Sequence, residues 1–425
     1  MRSGDRRARV RIELFAQKLR AIDVEDGSES CTFATGVDEN RIRDIERSVW
    51  EGFNLVRGRC PLEGELSAIA GAEVARGLYI QAVNALARLV EKPERLYKLQ
   101  DFLSARIPEN PNPEIPGQVI DVITECGTHL PLESMPLFGT IDELNDPEAV
   151  LKGIQRVMPA YRSVIRHVKP SDDRGSTPPL QASWRCPSVR FFQHVHLPGM
   201  HFETRDLGVL QKSGKLSVAF VFPQRGFKPN HVWPELDLAE RLVCNHPTTP
   251  FPRDNSPPII CHFSCHLSQS VTDSVLQMRG RFALRAREYS LEQLRGARAQ
   301  LGRVVVAPAL VFLNTCRSGV ADRRAQTSAV EVLSFYEPSC LIGTLADLPD
   351  LTAALFSRYF YRTLFDGSSV GDALRAARLQ LLDDNRNALG MLYTSYFGED
   401  VTMATESDRV HRHIPDELSG VYTSP

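Results

Sequence analysis

Apolar residues recur every three or four positions over residues 71–103. This spacing is typical of amphipathic helices, and Pro93 interrupts it, so the pattern predicts two helices in this stretch. Four prolines in the segment 108–117 end the helical pattern. The run VIDVIT at 119–124 then alternates loosely between apolar and polar positions, which predicts a strand.

A polar segment rich in turn residues, KPSDDRGSTPP at 169–179, separates this first part from a second part with a different pattern. We place a domain boundary there, which divides the chain into residues 1–175 and 176–425. In the second part, short β-rich runs alternate with helical segments, and Asp350 and Ser369 stand at N-cap positions of the last two helices. Such alternation predicts an α/β fold with a mainly parallel sheet that helices cover on both faces. The predicted strands are VRFFQHVHL, LSVAFVF, PPIICHFSCHL, ALVFLNTC and CLIGTL, and a helix is predicted for PELDLAERLV.

Composition excludes several classes of protein. With 42% hydrophobic and 24% charged residues in 425 positions, the chain has an ordinary globular composition with room for more than one core. The net charge of −2 gives no overall field that attracts nucleic acid. The longest apolar runs have the length of strands, and no signal peptide is recognised, so we expect a cytoplasmic protein without membrane insertion. We expect its nine cysteines to be free thiols.

Reactive side chains end two of the predicted strands. IICHFSCH leads to His266, and ALVFLNTC leads to Cys316. In an open α/β sheet, chemistry is found beyond the carboxyl ends of the strands. A cysteine nucleophile requires a thiolate, and an imidazole beside it both accepts the thiol proton and later protonates the leaving amine. The sequence therefore predicts that Cys316 and His266 form a catalytic pair.

Several sequence blocks, in a fixed order over roughly residues 118–402, resemble the caspase-like CHAT peptidases, a family in the group that includes caspases and separases. The resemblance implies a caspase-like three-layer αβα sandwich with a mainly parallel sheet in residues 176–425. It also implies that residues 1–175 are part helical and contain an inactive caspase-like half. The blocks are LPLESMPLF at 130–138, HFSCH at 262–266, LVFLNTCRSG at 310–319, LIGTLADLPD at 341–350, the helical stretch at 356–382 and LGMLYTSYFGEDV at 389–401.

The resemblance also implies roles for individual residues. Cys316 is the expected nucleophile and His266 the expected general base and acid. The expected oxyanion donors are the backbone N–H groups of Cys316 and of Leu267, the residue after the histidine. The family usually has glycine at that position, and glycine permits backbone conformations that leucine resists. No cofactor or metal is expected.

The function that the resemblance implies is limited cleavage of a partner protein by a cysteine endopeptidase. Members of the family take part in prokaryotic antiviral defence and regulated cell death, with substrates such as gasdermin-like pore formers. The chain has no repeat array for sensing a trigger, so activation is expected from a separate subunit or from self-association. The alternative is a catalytically inactive caspase-like scaffold that binds a protein partner. This alternative is suggested by Leu267, which stands where the family usually has glycine.

Two further segments have alternative interpretations. Cys261, His262, Cys265 and His266 are all side-chain types that bind zinc, but strand geometry places the two cysteines ~13 Å apart on one face and the histidines on the other. We therefore expect the first three to be core or supporting residues.

The arginine-rich segment 279–303 is either a solvated surface or an activation and docking segment, with Ser290 and Gln293 as a capping box.

Overall fold

The computed structural model describes the chain in several stretches. The description is of the backbone alone for 188–193, 217–221, 264–269, 274–278 and 287–290, and for the single residues 39, 259, 315, 331, 350 and 365. The described residues are 8–15, 17–27, 29–35, 38–58, 64–110, 112–124, 130–168, 188–193, 217–221, 259–269, 274–278, 287–290, 309–315, 329–334 and 336–402.

Five strands form a first sheet in the spatial order β3-β2-β1-β4-β5. Strands β1, β4 and β5 are parallel, whereas β2 and β3 extend the sheet as an antiparallel meander. In β1 and β2 every second residue is buried, the alternation expected of strands with one face on a core. The strands are β1 Val10–Phe15, β2 Lys18–Asp23, β3 Ser30–Ala34, β4 Gln118–Thr124 and β5 Ser163–Val168.

The described helices before residue 169 are α1 Glu39–Arg57, α2 Ala68–Val90, α3 Pro93–Ser104, α4 Pro147–Val157 and α5 Pro159–Arg162. The two helices predicted over 71–103 are confirmed as α2 and α3. Proline is well tolerated in the first turn of a helix, and Pro93 is the first residue of α3. The strand predicted at 119–124 is confirmed as β4.

A second sheet of eight strands occupies the rest of the described chain. Strands β7, β6, β8, β11 and β12 pair in parallel, and β13 closes the sheet antiparallel to β12. The predicted α/β fold with a mainly parallel sheet is thereby confirmed. The strands are β6 Ser188–Gln193, β7 Ser217–Val221, β8 Ile259–Gln269, β9 Ser274–Met278, β10 Arg287–Ser290, β11 Leu310–Thr315, β12 Cys340–Thr344 and β13 Tyr393–Phe397, and the helices are α6 Ala329–Ser334, α7 Asp350–Phe365 and α8 Val370–Asn385.

Both faces of the central strands are buried. Ile260, Cys261, His262 and Phe263 of β8 each have an exposed fraction of 0%. Consecutive buried positions are typical of a parallel sheet that is covered on both sides.

The predicted N-caps of the last two helices have different outcomes. Ser369 accepts a hydrogen bond from the backbone N–H of Asp372 at 3.2 Å and caps α8 as predicted. The prediction for Asp350 was wrong by one position, because Pro349 occupies the N-cap of α7 and Asp350 is its first residue. Proline restricts its own φ to about −65°, and Pro349 has a φ of −59°. Its side chain accepts no hydrogen bond from the first turn of α7.

The two predicted domains share one hydrophobic core. A single cluster of buried residues includes Val10 and Leu78 from the first part and Phe312 and Leu379 from the second. Arg375 of α8, 1% exposed, donates hydrogen bonds to the carbonyls of Tyr161, Asn112, Ile115 and Asn110 in the first part. The boundary near residue 175 remains a prediction, and extensive packing joins its two sides.

Some predictions fall wholly or partly on residues that the structure does not describe. The helix predicted for 234–243 lies outside the described residues, as do 279–286 and 291–303 of the arginine-rich segment. Its residues Arg287–Ser290 form strand β10, so Ser290 ends a strand, while its proposed capping partner Gln293 is not described. Among the described residues, no helix is both long and apolar enough to span a membrane.

Candidate active site

Strand β8, which contains His266, and strand β11, which Cys316 directly follows in the sequence, are neighbours in the sheet. The strands are parallel, and their paired residues run from Leu310 with Ile260 to Thr315 with Cys265. Cys316 itself lies outside the described residues, but it follows Thr315 directly in the sequence, just as His266 follows Cys265. The last described pair thus stands immediately before both predicted residues.

His266 differs from the prediction in one respect. The sequence placed it where an apolar strand gives way to a loop, whereas β8 continues through it to Gln269. From His266 onward, β8 pairs with the antiparallel strand β9, with His266 opposite Gln277. The histidine therefore stands where β8 leaves its parallel partner β11 and pairs with a hairpin strand. This pairing was not predicted, because the partner strand SVLQM is short and has no clear alternation of apolar and polar residues.

Leu267, the proposed second oxyanion donor, lies within the same stretch of β8. Its backbone is in register with Leu276 of β9. A paired strand has an extended backbone with negative φ, which any L-amino acid adopts without strain. Leucine in place of glycine is therefore compatible with the local conformation.

His262 is a buried core residue, as predicted. Its ring nitrogen Nδ1 lies 2.8 Å from the hydroxyl oxygen of Tyr361 on α7. The ring also packs against Phe312 of β11 at a centroid distance of 4.8 Å. Cys261, the preceding residue in β8, is also fully buried. In the parts of the chain that the structure describes, no group of three or more His, Cys, Asp or Glu side chains is arranged to hold a metal ion.

Two of the described cysteines have a thiol whose pKa is raised. Burial raises the pKa of Cys340 well above its usual value, and the carboxylate of Glu399 adds to this effect. Burial also raises the pKa of the partly exposed Cys31, with Lys98 opposing it. Because a raised pKa suppresses the thiolate, neither cysteine is in an environment suited to nucleophilic catalysis.

A polar network around Asn314 was not predicted from the sequence. Asn314, two positions before Cys316, accepts a hydrogen bond from the hydroxyl of Tyr393 at 2.5 Å. Its amide group donates to Ser357 Oγ at 3.1 Å and to the carbonyl of Ala353 at 3.4 Å. The available signal was the asparagine itself, an amide at the end of the otherwise apolar run LVFL, where burial requires hydrogen-bond partners.

A second buried polar group joins the closing strand to the first part of the chain. Glu133, within the block LPLESMPLF, accepts a hydrogen bond from Thr394 of β13 and lies with Oε2 3.7 Å from His167 Nε2. Ser134 donates to the carbonyl of Met391 at 2.8 Å. The block therefore braces the segment that leads into β13.

Comparison with protein families places these strands in a known domain. Residues 238–416 match the family model described as the CHAT domain. The match covers less than half of the 425 residues and includes β8, β11, β12 and β13. It confirms, over this segment, the family resemblance inferred from the sequence blocks. A comparison with curated protein sequences finds no match.

Comparison with solved structures finds distant similarities. Two crystal structures of the Saccharomyces cerevisiae separase–securin complex are 11% identical over 91% of this chain, with TM-scores of 0.44 and 0.43. The chain spans 29% and 30% of the length of the matched chains. A secreted C11 cysteine protease from Bacteroides thetaiotaomicron, solved with an irreversible peptide inhibitor, is 10% identical over 42% of this chain and 54% of its own, with a TM-score of 0.24.

Proposed function

We propose, from the CHAT domain at residues 238–416, that this protein is a cysteine endopeptidase with Cys316 as nucleophile and His266 as general base and acid. The observation that carries the proposal is the register of β8 and β11, which ends with Cys265 beside Thr315. Both predicted catalytic residues directly follow this pair. The parallel register holds Cys265 and Thr315 on neighbouring strands about 4.8 Å apart. A cysteine nucleophile needs an imidazole nearby, and the residues that follow this pair are the ones proposed to supply both groups.

The chemistry follows from these two side chains. His266 accepts the thiol proton of Cys316, and the resulting sulfur anion attacks the carbonyl carbon of the peptide bond. The backbone N–H groups of Cys316 and Leu267 stabilise the negative oxygen that forms. The C–N bond then breaks as His266 gives its proton to the leaving amine, which leaves a thioester. Water, deprotonated by His266, hydrolyses the thioester and restores the thiol.

The substrate class in this proposal is a partner protein that the enzyme cuts at few sites. The finer proposal is a role in prokaryotic antiviral defence or regulated cell death, with a gasdermin-like pore former as substrate. A separate activator subunit or self-association would switch the enzyme on. These assignments rest on the resemblance to the CHAT peptidases alone.

Cleavage of a co-expressed protein tests the proposal. The full chain is expressed together with the proteins encoded beside its gene, and new N-termini are identified by mass spectrometry. We expect a small set of new termini that Cys316→Ala and His266→Ala both abolish. Cys31→Ala serves as a matched control, because that cysteine is distant in sequence, partly exposed and outside the CHAT segment. New termini that persist in Cys316→Ala would overturn the proposed nucleophile.

A catalytically inactive scaffold is the second candidate function. The observation that favours it is Leu267 in the position where the family usually has glycine. Pull-down with Cys316→Ala as bait distinguishes the two functions. A scaffold retains its partner intact with both the wild-type chain and the variant, whereas an endopeptidase releases a cut partner from the wild-type chain and traps it uncut on the variant.

A further inference from the structure

Asn314 occupies an unusual place for an amide side chain. It is 6% exposed and lies in β11 after four fully buried apolar residues, Leu310–Leu313. Burial of an amide costs free energy unless hydrogen bonds replace its contacts with water. The side chain is therefore held by its hydrogen bonds rather than by hydrophobic packing.

The bonds of Asn314 join β11 to two other elements. Its Oδ1 accepts from the hydroxyl of Tyr393, the first residue of β13, at 2.5 Å. Its Nδ2 donates to Ser357 Oγ at 3.1 Å and to the carbonyl of Ala353 at 3.4 Å, both on α7. One amide thus fixes the end of β11 to a strand and a helix at once.

The Tyr393 hydroxyl is itself firmly placed. The ring stacks on Phe356 with centroids 3.6 Å apart and an interplanar angle of 3°, and it stacks on Phe312 at 5.8 Å. The backbone carbonyl of Tyr393 accepts a hydrogen bond from the buried Arg378 at 2.7 Å. A side chain with 0% exposure and these contacts has little freedom to move its hydroxyl away from Asn314.

Asn314 and its register partner each stand two residues before a member of the proposed catalytic pair in the sequence. Asn314 is paired with Ser264 of β8, and His266 lies two residues farther along that strand. Cys316 lies two residues beyond Asn314 in the sequence. Cys316 comes directly after the last residue of β11 in the sequence, so a restraint on Asn314 acts on the strand end from which the chain continues to Cys316.

We propose that Asn314 is a positioning residue for Cys316. Its hydrogen bonds to Tyr393 and Ser357 fix the end of β11, and this restrains the backbone that carries the nucleophile. Asn314 does not touch the substrate in this proposal. The inference rests on the proposed cysteine peptidase function, which it deepens by naming a residue that holds the nucleophile.

Tyr393→Phe is the variant that tests this inference. It removes one hydroxyl and keeps the ring stacked on Phe356, so it is expected to fold. Tyr359→Phe is the matched control. Tyr359 lies on α7, the helix that also carries Ser357, but its hydroxyl donates to Asn385 Oδ1 at 3.0 Å and not to Asn314. Hydrogen exchange of a peptide that contains residues 310–316 is measured by mass spectrometry in the full chain. We expect exchange about tenfold faster in Tyr393→Phe and unchanged in Tyr359→Phe.

Alkylation of Cys316 by iodoacetamide gives a second readout. The rate is measured against pH for the peptide that contains Cys316. In Tyr393→Phe we expect at least fivefold slower alkylation at pH 7 and a midpoint displaced to higher pH, whereas loss of stability alone leaves the midpoint in place. Unchanged exchange at 310–316, or an unchanged pH profile, overturns the positioning role.

The two readouts also separate this inference from the function on which it rests. If wild-type Cys316 alkylates like an ordinary thiol with a midpoint near pH 8.5, the peptidase proposal fails, and the positioning of a nucleophile fails with it. If wild-type Cys316 is activated but Tyr393→Phe behaves like the control, only the role of Asn314 is overturned.

Discussion

Thr315 and Cys265 are register partners at the end of the parallel pairing between β11 and β8. The residues that follow them in the sequence are Cys316 and His266. One residue farther on, β8 has already left β11 and pairs with β9. His266 therefore stands where β8 leaves its parallel partner, and Cys316 follows the last residue of β11 in the sequence. In an open α/β sheet, chemistry is found beyond such strand ends.

Replacement of Leu267 by glycine tests whether leucine impairs the site. The backbone of Leu267 is extended and paired with Leu276, a conformation that does not require glycine. We therefore expect Leu267→Gly to leave kcat/KM for a cleaved partner within about twofold of the wild-type value and to lower stability by about 1 kcal/mol. Steady-state cleavage and urea unfolding measure the two effects.

Leu267→Val is the control, because valine keeps a side chain and favours strands. Its kcat/KM and its stability should both stay near the wild-type values. An increase in kcat/KM of tenfold or more in Leu267→Gly alone would mean that leucine distorts the oxyanion site.

Arg375 is the residue whose loss should show that the two predicted domains fold together. Its buried guanidinium donates to four backbone carbonyls in the segment before residue 162. Arg375→Ala leaves these carbonyls without a charged donor, so we expect the free energy of unfolding to fall by about 3 kcal/mol or more. Urea unfolding, followed by circular dichroism, measures the change.

The exposed Arg362 of α7 provides the control for Arg375. Arg362→Ala should change stability by less than about 0.5 kcal/mol. A single unfolding transition in all three proteins agrees with the shared core. Two separate transitions, of which Arg375→Ala displaces only one, would contradict it.

Asp23 should make stability depend on pH. Burial alone raises the pKa of its carboxyl group, but the backbone N–H of Asp26 and the guanidinium groups of Arg106 and Arg9 outweigh burial, so the pKa lies below its usual value. A lowered pKa gives stability that is present above the unfolded pKa of about 3.9 and is lost as pH falls through the folded pKa.

We therefore expect Asp23→Asn to be less stable than the wild-type chain by about 1–3 kcal/mol at pH 7. The difference should shrink as pH falls below about 4. Asp44→Asn is the control, since Asp44 forms a half-exposed pair with Arg47 on the surface of α1. Urea unfolding at pH 3.5 and pH 7 measures the effect, and an equal loss at both values would contradict the electrostatic explanation.

Regular elements were predictable wherever hydrophobic periodicity was strong. The apolar runs at β11 and β12 predicted strands, and the spacing around Pro93 predicted α2 and α3 with their break. The hairpin strands β9 and β10 were not predicted, because their sequences SVLQM and REYS carry no clear alternation. These strands form through backbone pairing, β9 with β8 and β10 with β9, which local sequence does not reveal.

The strands of the candidate site were predictable from the sequence, but the hydrogen-bond partners of Asn314 were not. The sequence predicts His266 and Cys316 as reactive residues because each follows an apolar run. The partners of Asn314 lie 39, 43 and 79 positions away in the sequence, on α7 and β13. Only the packing of these elements on the sheet brings Tyr393 and Ser357 to the asparagine, so sequence spacing contained no sign of them.

Covalent labelling of Cys316 tests the central claim most directly. The full chain, co-expressed with the proteins encoded beside its gene, is treated with a peptidyl acyloxymethylketone, and the adduct is located by mass spectrometry. We predict a single thioether adduct at Cys316 that His266→Ala reduces at least a hundredfold, because the imidazole supplies the thiolate. No adduct at Cys316, or equal labelling in His266→Ala, would contradict the assignment of this pair as a cysteine peptidase site.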